Sequence, residues 1–177
     1  MWKDDKTDIV KGKVEEVFAV PMEAPKTKVT FIYSADVDKN LKNDILADAL
    51  KYVLDMTYTK TIREDEGGTY GVGTMVETKA YPTAGMVLLI QFDTEDAKAP
   101  KLIELAIEGI EDIAANGVND EYVAKTKESM LKAFPEKHIK NSYWQDVMYD
   151  NYSRNYDKDT DFEKCVNEVV NSKSIQK

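Results

Sequence analysis

The chain has 177 residues, 42% of them hydrophobic and 32% charged, with a formal net charge of −9. That is the profile of one globular domain long enough to bury a core, not of a disordered or fibrous chain. The acidity argues against a nucleic-acid binder, whose phosphate contacts need a basic surface, and no apolar run approaches the ~20 residues of a membrane span.

In chain order, residues 1–12 are polar and lack a signal-segment pattern, and they read as a linker or cut edge. Residues 13–177 read as a single α+β domain. Residues 14–20 form a modest strand pattern closed by Pro21 and Pro25. Residues 28–34 are a clearer strand, with Val29, Phe31 and Tyr33 on one face. Asp36, Asp38 and Asn40 offer N-caps for a helix over residues 41–63. Leu46, Ala49, Leu50 and Val53 follow the i, i+3, i+4, i+7 spacing of its buried face.

The helix leads into Arg63-Glu64-Asp65-Glu66-Gly67-Gly68-Thr69-Tyr70-Gly71-Val72-Gly73. Two adjacent glycines admit backbone angles closed to other residues, so the spacing predicts a sharp reversal from helix to strand. Arg63 then falls in the last helical turn and Tyr70 at the start of the strand, where a guanidinium and a phenol can be brought side by side. Both are donors, suited to a carbonyl or a developing oxyanion. The ordinary alternative is a cation favouring the helix macrodipole and a tyrosine favouring a strand. A phosphate cradle is disfavoured, because such loops run from strand to helix N-terminus and this one runs the other way. On the strand, Tyr70, Val72, Thr74 and Val76 share one face. Gly71 and Gly73 share the other, leaving room for a packed helix or an extended peptide.

A turn at residues 81–85 connects to a strand carrying Met86, Leu88, Ile90 and Phe92, so a hairpin is predicted. A second long helix begins near Pro100, turns Ile103, Ala106, Ile107 and Ile110 inward, and ends at Asn116-Gly117. Asn119 caps a third, with Asp120 and Glu121 in its first turn, and Pro135 is expected to bend or end it. Trp144, Val147 and Met148 mark another helix in a region crowded by Tyr143, Tyr149, Tyr152 and Tyr156, a core or domain-interface pattern. Asp161 caps a last helix carrying Phe162, Val166 and Val169, and residues 172–177 begin a further element. The order strand-strand-helix-strand-strand-helices indicates an α+β sandwich, an antiparallel sheet with helices on one face.

One cysteine and one histidine restrict the chemistry. Cys165 has no partner for an internal disulfide and sits at helical spacing with Phe162, Val166 and Val169, as a small buried hydrophobe does. His138 lies in a polar stretch and reads as solvated. A zinc site draws on three or four ligands, mainly His and Cys, and H-x-x-E-H is absent, so no metal is assigned to this chain. The abundant carboxylates read as solvated helix faces.

The run from Ile62 to Gly73 resembles the hallmark of the pitrilysin/insulinase (inverzincin) zinc peptidases, and more narrowly the C-terminal-half, non-catalytic domains of their bacterial members. The resemblance implies helices packed on one face of an antiparallel sheet, in a polypeptide that hydrolyses peptides in a closed chamber. It implies that Arg63 and Tyr70 reach the substrate at a zinc site on a different, N-terminal domain. Glu66, Gly67, Gly68, Thr69, Gly71 and Gly73 would lie beside the bound peptide. The partners implied are a peptide substrate and that catalytic domain, in the same polypeptide or a separate subunit, with the chain itself inactive when alone. The compartment stays open between cell envelope and cytoplasm. Two other readings stand beside it: a scaffold subunit of the same fold, and a helical interaction module using the aromatics around Trp144.

Overall fold

The computed structural model describes residues 11–21, 23, 26–67, 69–80, 83–154 and 161–176. Along the chain run β1 (Thr27–Ala35), α1 (Leu41–Tyr58), a π-helical segment (Thr59–Asp65), β2 (Gly73–Lys79) and β3 (Gly85–Thr94). Five helices follow: α2 (Ala99–Asn116), α3 (Asp120–His138), α4 (Asn141–Arg154), α5 (Phe162–Val169) and α6 (Ser172–Gln176). The predicted positions Pro25, Gly68, Tyr81, Pro82, Tyr156 and Lys177, and residues 1–10, lie outside the described residues.

The three strands are ordered β1-β3-β2, so β3 is central and the predicted β2–β3 hairpin is an edge ribbon. Its register runs from Lys79 opposite Gly85 to Gly73 opposite Gln91, antiparallel throughout. β1 lies antiparallel on the other side, with Val29 opposite Phe92 and Phe31 opposite Ile90. Alternation then puts Val29, Leu88, Ile90 and Phe92 into the core, where the helices cover them. This is the α+β class predicted above, and no helix among the described residues is long and apolar enough to cross a membrane.

Residues 14–20 carry no strand: Val17 is 90% and Phe18 81% exposed. The segment reads Val-Glu-Glu-Val-Phe-Ala-Val, which does not alternate, so pairing it with the sheet would bury no single apolar face. α1 begins as predicted, the Asn40 side chain accepting from the Asn43 amide at 2.9 Å. It is shorter than predicted, because the backbone widens to a π-helix from Thr59 onward. Its buried residues are Ile45, Ala47, Ala49, Val53, Leu54 and Tyr58, while Leu46 and Leu50 are only partly buried. The helix is gripped by the sheet on one side and other helices elsewhere, so its buried stripe is broader than one row and is centred off the predicted one.

Other boundaries follow the local chemistry. Asn119 caps α3 by accepting from the Tyr122 amide at 2.8 Å, whereas Asp161 stands at the start of α5 without a side-chain cap. Gly117 ends α2 at φ +76°. There Ser172 Oγ accepts from the Val118 amide at 2.8 Å, and Gln176 Nε2 donates to the carbonyls of Ala114 and Ala115 at 3.1 and 3.0 Å. α6 therefore satisfies carbonyls that the end of α2 leaves open. α3 does not stop at Pro135 but continues to His138. Tertiary contact outweighs the lost N–H: Phe134 stacks on Phe162 at 4.3 Å and meets the His138 ring at 4.5 Å.

Tyr58 locks α1 to α2. It is wholly buried, its hydroxyl donates to the Ala106 carbonyl at 2.8 Å, and burial pushes its phenol far above the usual range, so it stays a neutral donor. A Cβ at Gly109 would stand 2.8 Å from Tyr58 Cε1. Gly109→Ala should therefore destabilise by about 1–3 kcal/mol through overpacking, despite the ~1 kcal/mol gain in helix propensity. Urea unfolding checks this; a more stable variant would mean the ring has room to move.

Candidate functional site

At the end of the π-helix, Glu66 still has helical angles and Gly67 takes φ +56°, turning the chain out of the helix as the glycine pair predicts. Thr69 Oγ1 donates to the Gly71 carbonyl at 3.1 Å and accepts from the Gly71 amide at 3.3 Å, a local turn with Tyr70 at its apex. Val72 packs on the core and anchors the far side. β2 begins only at Gly73, so Tyr70 stands on the turn before the strand instead of at its first residues, and it is fully exposed.

This turn forms one wall of an open groove of about 590 Å³. Gly67, Thr69, Tyr70, Gly71 and Gly73 line that wall, and Lys26, Lys28, Gln91, Asp93 and Lys98 lie across from it. Lys28 is opposite Asp93 and Gln91 opposite Gly73 in the sheet, so the groove sits over the face turned away from the core. Among the described residues, nothing lies within 4 Å of a Cβ placed at Gly71, and at Gly73 only Gln91 does, at 3.7 Å. No helix of the described residues occupies the space predicted above the glycines. Lys98 Nζ reaches the Gly67 carbonyl at 3.5 Å and Lys26 pairs with Asp93 at 3.9 Å, leaving the charges of the groove mixed.

Arg63 is exposed in the last turn of the π-helix, and both it and the exposed Glu66 fall outside the groove lining. No hydrogen bond or ion pair ties Arg63 or Tyr70 to another described residue. The reversal therefore leaves both donors exposed, Tyr70 in the groove wall and Arg63 outside it, without a bond between them. Sequence reasoning found the glycine wall and missed the opposite one. Lys26, Lys28, Gln91 and Asp93 carry only the polar alternation of an outer strand face, and their meeting with the turn is set by strand order.

No metal centre fits these residues: among those described, no group of three or more His, Cys, Asp and Glu could hold an ion. His138 is not solvated as predicted. It is half-buried among Phe134, Tyr143 at 5.3 Å and Trp144 at 5.4 Å, and its carbonyl accepts from Trp144 Nε1 at 2.8 Å. Cys165 is half-buried, and burial pushes its thiol up, with Glu168 and Asp161 adding to the effect, which suits a packing residue more than a nucleophile. On α4, Val147 is buried while Trp144, Met148 and Tyr152 form an exposed stripe at helical spacing. A second hollow, of about 430 Å³, is lined by Lys39, Asp44, Asp48, Lys137 and Tyr143. Burial pushes the Asp48 carboxyl up and Lys137, 4.0 Å away, pulls it back.

Fold and site together define an α+β domain with an open groove and exposed donors, and with no metal centre among the described residues. The profile described as Peptidase M16 inactive domain matches residues 3–130, and the chain belongs to that family. Solved structures repeat the fold. The periplasmic protease PqqL from Escherichia coli is similar at 16% identity and TM-score 0.73, over 88% of this chain and 17% of that one. The ferredoxin protease FusC, solved with Arabidopsis ferredoxin, matches at 12% identity and TM-score 0.69, over 86% of this chain and 17% of that one. A peptidase M16 inactive domain from Pseudomonas fluorescens matches at 14% identity and TM-score 0.63, over 84% of this chain and 36% of that one. The chain thus spans well under half the length of these structures. No curated protein matches it.

Proposed function

We propose that this chain is the substrate-binding, non-zinc domain of a zinc metallopeptidase. In this reading it is one domain of a larger assembly, and the zinc site stands on another domain, in the same polypeptide or in a partner subunit. The observation that carries the proposal is Tyr70: a fully exposed phenol on the glycine wall of an open groove, with empty space over Gly71. An aromatic left wholly in water at a built turn has no packing role in the isolated domain. Its hydroxyl and the Arg63 guanidinium are donors for the carbonyl of a peptide and for the oxyanion that develops on it. Gly67, Gly71 and Gly73 offer backbone without bulk, along which an extended peptide can lie beside Thr69, whose hydroxyl is engaged by Gly71. Glu66, at the end of the helical segment, and Gly68, assigned from the sequence alone, complete the substrate-binding set.

The zinc domain supplies the metal-activated water; the contribution of this chain is to bind, orient and donate hydrogen bonds. Tyr70→Phe in the assembled peptidase tests it. The change removes one hydroxyl, keeps the ring and buries nothing new, so the domain should stay folded. If the hydroxyl acts mainly in the transition state, kcat and kcat/KM fall together; a change in KM alone would mean uniform substrate binding. Wild-type kinetics in the Phe variant would remove the role of Tyr70 and favour a scaffold domain of the same fold.

A further inference from the structure

The facing sides of α1 and β2 carry two side-chain clasps of the same chemistry at opposite ends of the strand. Near its start, the Thr74 hydroxyl donates to Asp55 Oδ1 on α1, and Lys51 Nζ holds Asp55 Oδ2 at 2.5 Å. Near its end, the Thr78 hydroxyl donates to Asp44 Oδ1, with Lys39 Nζ 2.9 Å from that oxygen and 2.8 Å from the Thr78 hydroxyl. β2 is an edge strand, hydrogen-bonded to β3 on one side only, and these clasps, with Val76 packed on the core between them, tie it to the helix beneath.

The two differ in what lies beyond them. Asp55 precedes Arg63 by eight positions along one continuous helical path, and Thr74 follows Tyr70 by four. The near clasp thus closes the reversal that carries both donors, and the far clasp lies at the other end of the strand, beside the second hollow and away from that reversal. A loop pinned at its base has fewer geometries than one whose strand can fray. We propose that Asp55 and Thr74 are positioning residues: their hydrogen bond sets the spacing of Arg63 and Tyr70 across the glycine turn. The Asp44–Thr78 clasp serves stability alone. This inference rests on the substrate-binding reading of the same turn.

The test compares Thr74→Val with Thr78→Val in the assembled peptidase, each exchanging a hydroxyl for a methyl of the same shape. Both should lower the melting temperature by similar amounts. Only Thr74→Val should also lower kcat per folded molecule, by about tenfold to a hundredfold, with KM nearly unchanged. Thr74→Ser, which keeps the hydroxyl, should restore turnover, and Asp55→Ala, which removes the acceptor, should repeat the loss without touching the strand. Equal melting shifts with wild-type turnover in both valine variants would overturn the proposal, since the clasp would then be structural only. Tyr70→Phe, measured alongside, separates the two failures. A silent Tyr70→Phe sinks the substrate-binding reading and this inference with it. An impaired Tyr70→Phe beside an unimpaired Thr74→Val sinks this inference alone.

Discussion

Arg63→Ala is expected to lower kcat of the assembled peptidase by about a hundredfold to a thousandfold, the usual loss when one donor to a developing oxyanion is removed from a water-excluded site. The side chain is exposed and makes no hydrogen bond or ion pair with the described residues, so removing it leaves no buried group unsatisfied. Its one structural role is a cation in the last turn of a helical segment, worth about 0.3–1 kcal/mol at an exposed position. The two roles separate cleanly in measurement. If Arg63 only favours the helix end, the melting temperature drops slightly and turnover per folded molecule is unchanged. If it serves the substrate, turnover collapses while the domain melts almost as before. Arg63→Lys sharpens the result, because lysine keeps the charge at the helix end but loses the planar fork of donors.

The second large effect lies in the core. Leu54→Ala is expected to destabilise by about 2–5 kcal/mol, since a buried leucine leaves both lost transfer energy and a cavity. Leu54 is 0% exposed in the main cluster under the sheet, whereas Leu50, one turn earlier, is only partly buried against it. Leu50→Ala should therefore cost clearly less. The periodicity alone puts Leu50 on the buried row, so the pair tests which face of α1 the fold uses. Equal losses for the two variants in urea unfolding would return the helix to the orientation read from the sequence.

The glycine reversal, the capping residues Asn40 and Asn119, the hairpin and the end of α2 at Gly117 were all legible in the sequence. Each depends on residues within a few positions of one another, and local backbone chemistry decides it. The α+β class was legible in the order of elements along the chain, and the family through the resemblance of the Ile62–Gly73 run. Distant partners shape two positions that local chemistry alone left open or misread. Pro135, expected to bend or end α3, lies three residues before its end at His138, and its neighbour Phe134 stacks on Phe162. His138 is not solvated, because α4 folds back to set Tyr143 and Trp144 around it.

What the sequence by itself determined is therefore the class of the domain, the absence of a zinc motif, and the turn that carries Arg63 and Tyr70. The tertiary structure decided the groove and the clasps. Lys28 meets Asp93, and so joins the hairpin pair Gln91 and Gly73 at one groove, only because β1 adds to the far side of β3. Thr74 meets Asp55, 19 positions away, only because α1 packs beneath the edge strand. Strand order and helix placement are settled by burial of the whole apolar face at once. That is a property of the assembled core, and no window of the chain contains it.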